Sequence, residues 1–338
     1  MSRPPAPVAA TAKSVPPTLR ALLFESDHPS REVAPDDLHA HAPVPDQRLL
    51  WVDVVRSDGL PETLSALGAN PGRLDPDASG ELGLAIEGDW KYLHVRALNW
   101  HDGSRPSHIP VAFGVGPNIV LSVHREPVDF ISSVLDNEAD HLRVGRLEAT
   151  SFATTLLDRM LTDYLDARDA FETRLDRLEL LILRRPKPSH LAELQALRHL
   201  ASRLRRHLSS QRDLFDALGR PDFDPRQSES AEKHCRLVST RYSHVMQSIE
   251  AARELVNGSF DLYTSRTAES TNEAVYTLTV VTVAMGLAAT VAGVLGMNFE
   301  APLFNSGKTG FYIAAGSIVA VLLVSGLWAA WRLRRGAN

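Results

Sequence analysis

Residues 274–299 form a run of the chain with no charged side chain and no proline. Such a run, wound as a helix, is long enough to cross the ~30 Å hydrocarbon core of a bilayer. A second uncharged run, 311–331, follows after a short break. A segment this apolar must leave water, so the chain is expected to be a large soluble body followed by a two-helix membrane hairpin.

The first run is patterned. Thr279, Thr282, Gly286, Thr290 and Gly293 recur at steps of three and four. At ~100° per residue they share an arc of roughly 80° on one helix face. Leu278, Val280, Val281, Val283, Leu287, Val291 and Leu295 occupy the rest. A small and polar stripe turns away from acyl chains, toward protein or water. Two readings stand at this point: a tight helix–helix interface, or the lining of a pore.

Charge placement orients the hairpin. Arg332, Arg334 and Arg335 follow the second run directly, whereas Lys308 between the runs is offset by Glu300. The positive-inside rule puts the C-terminus in the cytoplasm. Two spans return the soluble body to the same side, and residues 299–310 face outward. Residues 1–17 are rich in Pro and Ala and show no signal-peptide pattern. The expected localisation is therefore the cell (inner) membrane, multi-pass, with both termini cytoplasmic.

The soluble part divides by period. Residues 1–18 read as a disordered tail. Residues 19–145 mix short strands (49–55, 82–87, 90–98, 109–113, 119–124) with short helices at 60–67 and 127–136, bounded by Gly, Pro, Asn and Asp. Glu87-Gly88-Asp89 reads as a hairpin turn. An α/β domain is expected. From about 150 the period becomes helical: Leu157, Leu161, Tyr164, Arg168, Phe171, Leu175, Leu178 and Ile182 make a heptad-like seam, read as internal core. Pro186 and Pro188 end that helix, and residues 191–218 form a second, stopped by Gly219 and Pro221. These helices make an arm over 146–226.

Between Pro225 and Pro302 there is no proline, and Gly258 is the one glycine before Gly286. A single helix over 228–298 would be ~105 Å long. Few globular helices approach this. A stalk over 227–273 that continues into a first span over 274–298 accounts for it, with an outer loop over 299–310, a second span over 311–331 and a basic tail over 332–338.

Composition excludes several functions. The net charge is −5, which does not suggest nucleic acid as a partner. The single cysteine, Cys235, rules out an internal disulfide and a Cys-rich zinc site. His39, His41, His94, His101 and His108 lack the spacing of a closed metal site and read as structural or solvated. Cys235 reads as an inert helix residue. No P-loop, dinucleotide-binding glycine motif, nucleophile elbow or kinase set is present, so the chain reads as no enzyme.

The first span closes on Gly296-Met297-Asn298, with Phe299-Glu300 after it and Thr271-Asn272-Glu273 before it. Over about 261–300 this order resembles the CorA family of divalent-cation transporters, whose hallmark is Gly-Met-Asn at the end of the first of two C-terminal spans. Trp51-Val-Asp-Val also resembles an early strand common in CorA-type cytoplasmic domains. The resemblance implies an α/β cytoplasmic domain, long stalk helices and a C-terminal transmembrane hairpin, assembled as a homopentamer in the lipid bilayer around a pore lined by the first span.

On that resemblance the selectivity filter is Gly296, Met297 and Asn298. Asn298 would hold a hydrated ion through its water shell, a role suited to Mg²⁺, which gives up its waters reluctantly. A ring of neutral amide carbonyls accepts from those waters without trapping the ion. Asn272 and Val275 resemble the inner pore mouth, with Thr279, Thr282, Gly286, Thr290 and Gly293 beyond them. Asp261 matches a stalk acid at the cytoplasmic mouth, where the alternative is one solvated charge among many. Glu300 is the outer-loop acid. The family implies no resident cofactor. It does imply a regulatory divalent cation, Mg²⁺, between cytoplasmic domains, whose ligands cannot be placed on this sequence.

Two departures follow. Gly286 and Leu287 stand where the family often has a bulky gate before a proline, which moves the gate to Leu278 or Val275. The outer loop carries Lys308 and one acid, Glu300. That raises the ZntB-like zinc branch as an alternative to Mg²⁺, Co²⁺ or Ni²⁺ uptake. A non-conducting membrane-tethered sensor or scaffold is a further alternative.

Overall fold

The computed structural model describes residues 18–25, 28–41, 44, 48–56, 62–77, 83–100, 106–138, 148–220, 223–224, 227–296 and 307–336. The expected disordered tail, except Thr18, and most of the expected outer loop therefore lie outside the described residues. The chain divides into two compact units, one comprising 1–178 with 192–257 and the other comprising 179–191 with 258–338.

The first unit is built on a seven-stranded sheet in the order β2-β1-β3-β7-β6-β5-β4. Its strands are β1 (Thr18–Glu25), β2 (His28–Val33), β3 (Arg48–Val55), β4 (Gly83–Glu87), β5 (Trp90–Asn99), β6 (Ser107–Gly116) and β7 (Ile119–His124). β3 and β7 pair in parallel at the centre, and the other pairs are antiparallel. All five expected strands are present. β1 and β2 are additional, and they extend the sheet past β3.

The turns follow their residues. Gly88 has φ +62° in the two-residue β4–β5 loop, the first central position of a type II′ turn. Pro117-Asn118 joins β6 to β7 with Asn118 at φ 57°, as a type II turn requires. Pro110 lies one residue beyond the last β6–β7 pair, Val111↔His124, where its missing N–H costs no ladder bond.

Period-two alternation gives the sheet two apolar faces. Leu50, Val52, Val54, Leu121 and Val123 pack in one cluster with Leu64 and Leu67, at and just after α1 (Glu62–Ala66). The opposite parity, with Phe24 and Trp51, meets Phe152 at ring distances of 5.4 and 5.3 Å. Phe152 opens α3 (Ala149–Arg184), whose seam residues Leu157, Leu161, Tyr164, Phe171, Leu175, Leu178 and Ile182 are all buried. The expected helix near 127–136 is α2 (Asp129–Ser133), which passes into a π-helical turn over Val134–Glu138.

The second arm helix departs from expectation. It is two helices, α4 (Pro188–Ser209) and α5 (Arg212–Leu218). Pro188 is the first residue of α4 rather than a stop, a position where its lack of N–H is harmless. The break at 210–211 has a tertiary cause. Gln211, 1% exposed, accepts from the Arg96 N–H at 3.1 Å and donates to the Arg96 carbonyl at 3.3 Å. β4 ends its pairing at His94, so Gln211 takes up the Arg96 N–H of β5 and shares the Arg96 carbonyl with the Tyr164 hydroxyl, which donates to it at 3.1 Å.

The last element to enter the first unit is α6 (Glu229–Leu295), 67 residues without a break. Ser228 caps its start by accepting from the Ala231 N–H at 3.1 Å. Its early turns join the first unit. Arg241 pairs with Asp158 at 2.8 Å and Arg205 with Glu250 at 3.0 Å, while Tyr242 stacks on Phe215 and donates to the Leu208 carbonyl.

In the second unit, α6 runs on from Gly258 and α7 (Lys308–Gly336) follows. Both are long and apolar enough to cross a membrane. Val275, Leu278, Val281, Val283, Met285, Leu287 and Val294 on α6 are exposed, as are Phe311, Ile313, Leu323 and Leu327 on α7. Apolar surface bared in this way belongs in lipid or against other chains.

Candidate functional site

A helix that runs from the sheet-bearing body to the apolar segment without interruption sets all its side chains in one angular frame. Counted at ~100° per residue, Asp261, Asn272, Val275, Thr279, Thr282, Gly286, Thr290 and Gly293 fall on a single arc of ~80°. All eight are exposed. The face that the rest of the chain covers is elsewhere. Ala284 is buried, and Tyr276, Val280, Ala288 and Val291 are half-buried. Its centre lies ~140° around the helix from the stripe.

The two glycines bear on the reading of the stripe. A Cβ added at Gly286 or Gly293 would meet no atom within 4 Å. Neither glycine is therefore used for close helix packing inside the chain.

The threonines add a chemical polarity that the sequence did not reveal. Thr279 donates to the Val275 carbonyl at 2.8 Å, Thr282 to the Leu278 carbonyl at 2.8 Å and Thr290 to the Gly286 carbonyl at 2.9 Å. Each hydroxyl spends its one proton on its own backbone. What remains at the helix surface is oxygen lone pairs. A column of acceptors without donors suits a cation or the water around one, and it repels an anion.

α6 ends where the motif begins. The Gly296 N–H reaches the Ala292 carbonyl at 2.9 Å and the Gly293 carbonyl at 3.2 Å, closing the last turn. Met297, Asn298 and Glu300 lie outside the described residues, so the structure places the stripe that leads to them but not the residues themselves.

The body contains a buried polar chain that the sequence reading passed over. Trp51 Nε1–H donates to Ser122 Oγ at 3.1 Å, and the Ser122 hydroxyl donates to Asp53. His124 Nε2 lies 3.1 Å from Asp53 Oδ1, and its Nδ1 lies 2.7 Å from the Glu126 carbonyl. Parallel pairing of β3 with β7 sets Asp53 opposite Ser122. Both His124 nitrogens face acceptors, which only the doubly protonated ring can satisfy. Burial opposes that charge, but Asp53 and the Glu126 carbonyl outweigh it and hold the His124 pKa above its ordinary value. The available signal was an Asp inside an otherwise apolar strand, with Ser and His at matching parity in another.

Other titratable groups are set apart from this chain. His108 lies against His207 with ring centroids 3.6 Å apart and ring planes tilted by 33°. Burial, with the nearby charges of His207, Arg96 and Arg203, pushes His108 down to about 3. Asp129, Asp163 and Asp166 line a cavity of about 220 Å³ with Leu98 and Trp100. Burial, with the charges of Asp129 and Asp166, pushes Asp163 up to about 7. Burial pushes the Cys235 thiol up to about 11, which accords with an inert residue. Among the described residues no group of three or more His, Cys, Asp or Glu side chains is arranged to hold a metal ion.

Comparison with known proteins fits this architecture. Residues 47–335 match the family model described as CorA-like Mg²⁺ transporter protein. The cobalt/magnesium transport protein CorA of Thermotoga maritima is 25% identical over 201 residues, a match spanning 57% of each chain. The complete structure of the CorA magnesium transporter from Methanocaldococcus jannaschii superposes with a TM-score of 0.67 at 18% identity, covering 91% of this chain and 96% of that one. The ZntB cytoplasmic domain of Vibrio parahaemolyticus gives a TM-score of 0.58 at 13% identity, covering 74% and 99%. At these identities the structural likenesses establish the fold. With residues 47–335 of the chain matched by the family model, and with the α/β body, the uninterrupted stalk and two apolar C-terminal helices in place, this chain belongs to the CorA-like Mg²⁺ transporter family.

Proposed function

We propose that the chain is a subunit of a divalent-cation transporter, with Mg²⁺ as its cargo, that conducts through a pore formed by copies of α6. The supporting observation is the acceptor stripe. It lies on the side of α6 turned away from the chain's own packing, and it leads to Gly296-Met297-Asn298. Two spans cannot enclose a pore, so several copies are required; five first spans lining the channel and five second spans outside is the assembly this reading takes. The stripe of each copy then faces the axis. Asp261 gathers cations at the cytoplasmic mouth, Asn272 and Val275 form the inner entrance, and Thr279, Thr282, Gly286, Thr290 and Gly293 line the passage. Leu278 or Val275 supplies the apolar constriction. Asn298 holds the hydrated ion at the outer mouth, with Glu300 beside it.

Both termini lie in the cytoplasm in this reading. The membrane potential, inside negative, then favours inward movement by ~2.3 kcal/mol per elementary charge per 100 mV. Regulation by an intracellular divalent cation belongs to the same proposal, with no ligands assigned. A ZntB-like zinc role is the second reading, favoured by Lys308 close to the outer mouth.

Uptake by the purified protein in liposomes tests the proposal. Divalent-cation influx that Mg²⁺ competes for supports it. Influx selective for Zn²⁺ and dependent on a proton gradient moves the assignment to the second reading. Absence of flux for every divalent cation, from an intact oligomer, would leave a non-conducting scaffold.

A further inference from the structure

The corner between α3 and α4 carries a surface that the transport reading leaves unused. Leu180, Leu181 and Leu183 are 61%, 49% and 42% exposed. The helical seam had placed only Ile182 of this apolar run, and Ile182 alone is buried. Arg184, Arg185 and Lys187 follow, all exposed. Residues 180–191 contain no Asp or Glu. On the helix, Leu180, Leu181, Leu183, Arg184 and Arg185 together occupy an outward arc of ~200°. Exposed apolar side chains adjoining cations, with no acid among them, are the composition of an interfacial segment.

Position supplies the second argument. The contacts of α3 with α6 climb together along both helices, from Ser151–His234 through Asp158–Arg241 to Glu179–Ser259. The two helices therefore run parallel. The last contact sets Glu179 level with Ser259, which is fully buried. From Ser259 the apolar run at Ala274 begins ~22 Å farther on, and from Glu179 the cations at 184–187 lie ~8–12 Å farther on. The cations thus stop roughly 10–15 Å short of the hydrocarbon boundary. The headgroup layer fills about 5–7 Å of that gap. What remains, roughly 3–10 Å, is comparable to one Debye length at physiological salt, ~8 Å, and to the reach of an extended Arg or Lys side chain.

We infer that the α3–α4 corner is a membrane-surface contact, in which Arg184, Arg185 and Lys187 reach toward the phosphates of anionic lipid headgroups. The inference rests on the membrane reading of α6 and α7. Its occupant is the lipid surface rather than a second copy of the chain, because an uninterrupted set of cations this close to a bilayer complements the negative charge of the inner leaflet. The contact ties the corner to the leaflet beside the stalk, so lipid charge becomes a partner of the cytoplasmic arm.

The test uses the full chain in vesicles, with a fluorophore on a cysteine introduced as S189C, an exposed position in the corner. Cys235 is buried and stays silent. Quenching by nitroxide-headgroup lipid is compared between phosphatidylcholine vesicles and vesicles containing phosphatidylglycerol. The expected result is severalfold stronger quenching with phosphatidylglycerol, reduced by high salt. Each cation neutralised in Arg184→Gln, Arg185→Gln or Lys187→Gln lowers the bound-to-free ratio of the corner by roughly fivefold. Equal quenching in both lipids overturns the proposal. So does a label already shielded in lipid-free detergent, which would mean that a second copy covers the corner. A label at Leu323, read with acyl-chain nitroxides, separates the two levels: quenching there with none at position 189 rejects this contact alone, and none at Leu323 rejects the membrane reading as well.

Discussion

The sheet-bearing body and the apolar part of α6 handle polar groups in opposite ways. In the body, Asp53, Ser122, His124 and Gln211 are buried, and partners from elsewhere in the same chain hold them. In α6 beyond Glu273, large apolar side chains face outward, and Thr279, Thr282 and Thr290 are satisfied by the carbonyl four residues back. The body therefore carries its stability in long-range contacts. The apolar part of α6 carries its hydrogen bonds locally and leaves its large apolar side chains uncovered by the rest of the described chain. A single polar change should accordingly be costly in the body and nearly silent for stability on the stripe, where its effect is on flux.

The largest stability effect is expected at Asp53. Asp53→Ala leaves a charged His124 and the Ser122 hydroxyl without their acceptor in a site that water does not reach. Breaking a buried pair by removing one partner costs about 3–5 kcal/mol. Chemical denaturation of the solubilised chain should show that loss. A change below ~1 kcal/mol would mean that the network is not a keystone of the body and would weaken the contrast drawn here.

The next effect is pH-dependent, and its sign differs between groups. His108 has a folded pKa near 3, well below its ordinary value of 6.5. The unfolded chain takes up the proton first, so the stability present above pH 6.5 is lost progressively as pH falls toward about 3. His207 is lowered too, by burial and by Arg96, Arg206 and Arg203, and acts in the same direction. Asp163 is raised from 3.8 to about 7, so its contribution is present below 3.8 and is lost as pH rises through 7. His124, also raised, contributes below 6.5 and loses its contribution as pH rises through its folded pKa. Melting temperatures followed against pH should show His108→Leu flattening the acid-side decline and Asp163→Asn flattening the decline between pH 4 and 7. Unchanged slopes in both variants would contradict these assignments.

The smallest stability effect is expected on the stripe. Thr282→Ala removes a hydroxyl whose proton was already used locally, so stability should stay within ~0.5 kcal/mol. Uptake should fall by roughly 2- to 10-fold, the worth of one lost neutral hydrogen bond of ~0.5–1.5 kcal/mol. A destabilised oligomer with normal uptake would reverse the contrast and make the stripe a packing surface.

The sequence was most legible where local pattern and tertiary environment agree. β3, β5, β6 and β7 are rich in β-branched and aromatic residues and are bounded by turn residues. β1 was missed because Thr-Leu-Arg-Ala-Leu-Leu-Phe-Glu has the composition of a helix; an eight-residue ladder with β3 makes it a strand. β2 contains Pro29, tolerable because β2 lies at the edge of the sheet. The α4–α5 break was missed because Gln211 makes it from outside the helix, by bonding Arg96 across 115 positions. In the site, helical period alone aligned Thr279, Thr282, Gly286, Thr290 and Gly293, while Asp261, Asn272 and Val275 entered by family resemblance. The direction of the threonine hydroxyls and the cover on the opposite face needed coordinates.

The central claim is that ions pass along the stripe and are selected at Asn298. The most direct measurement is Mg²⁺ uptake by Asn298→Ala in liposomes, beside the native chain, with oligomer mass checked for both. The account predicts an intact oligomer that no longer takes up Mg²⁺, since a neutral carbonyl ring at the outer mouth is what receives the hydrated ion. If Asn298 only caps the helix end, its loss costs about 1 kcal/mol of stability and leaves transport alone. A well-assembled Asn298→Ala protein with normal uptake and unchanged ion preference would contradict the account.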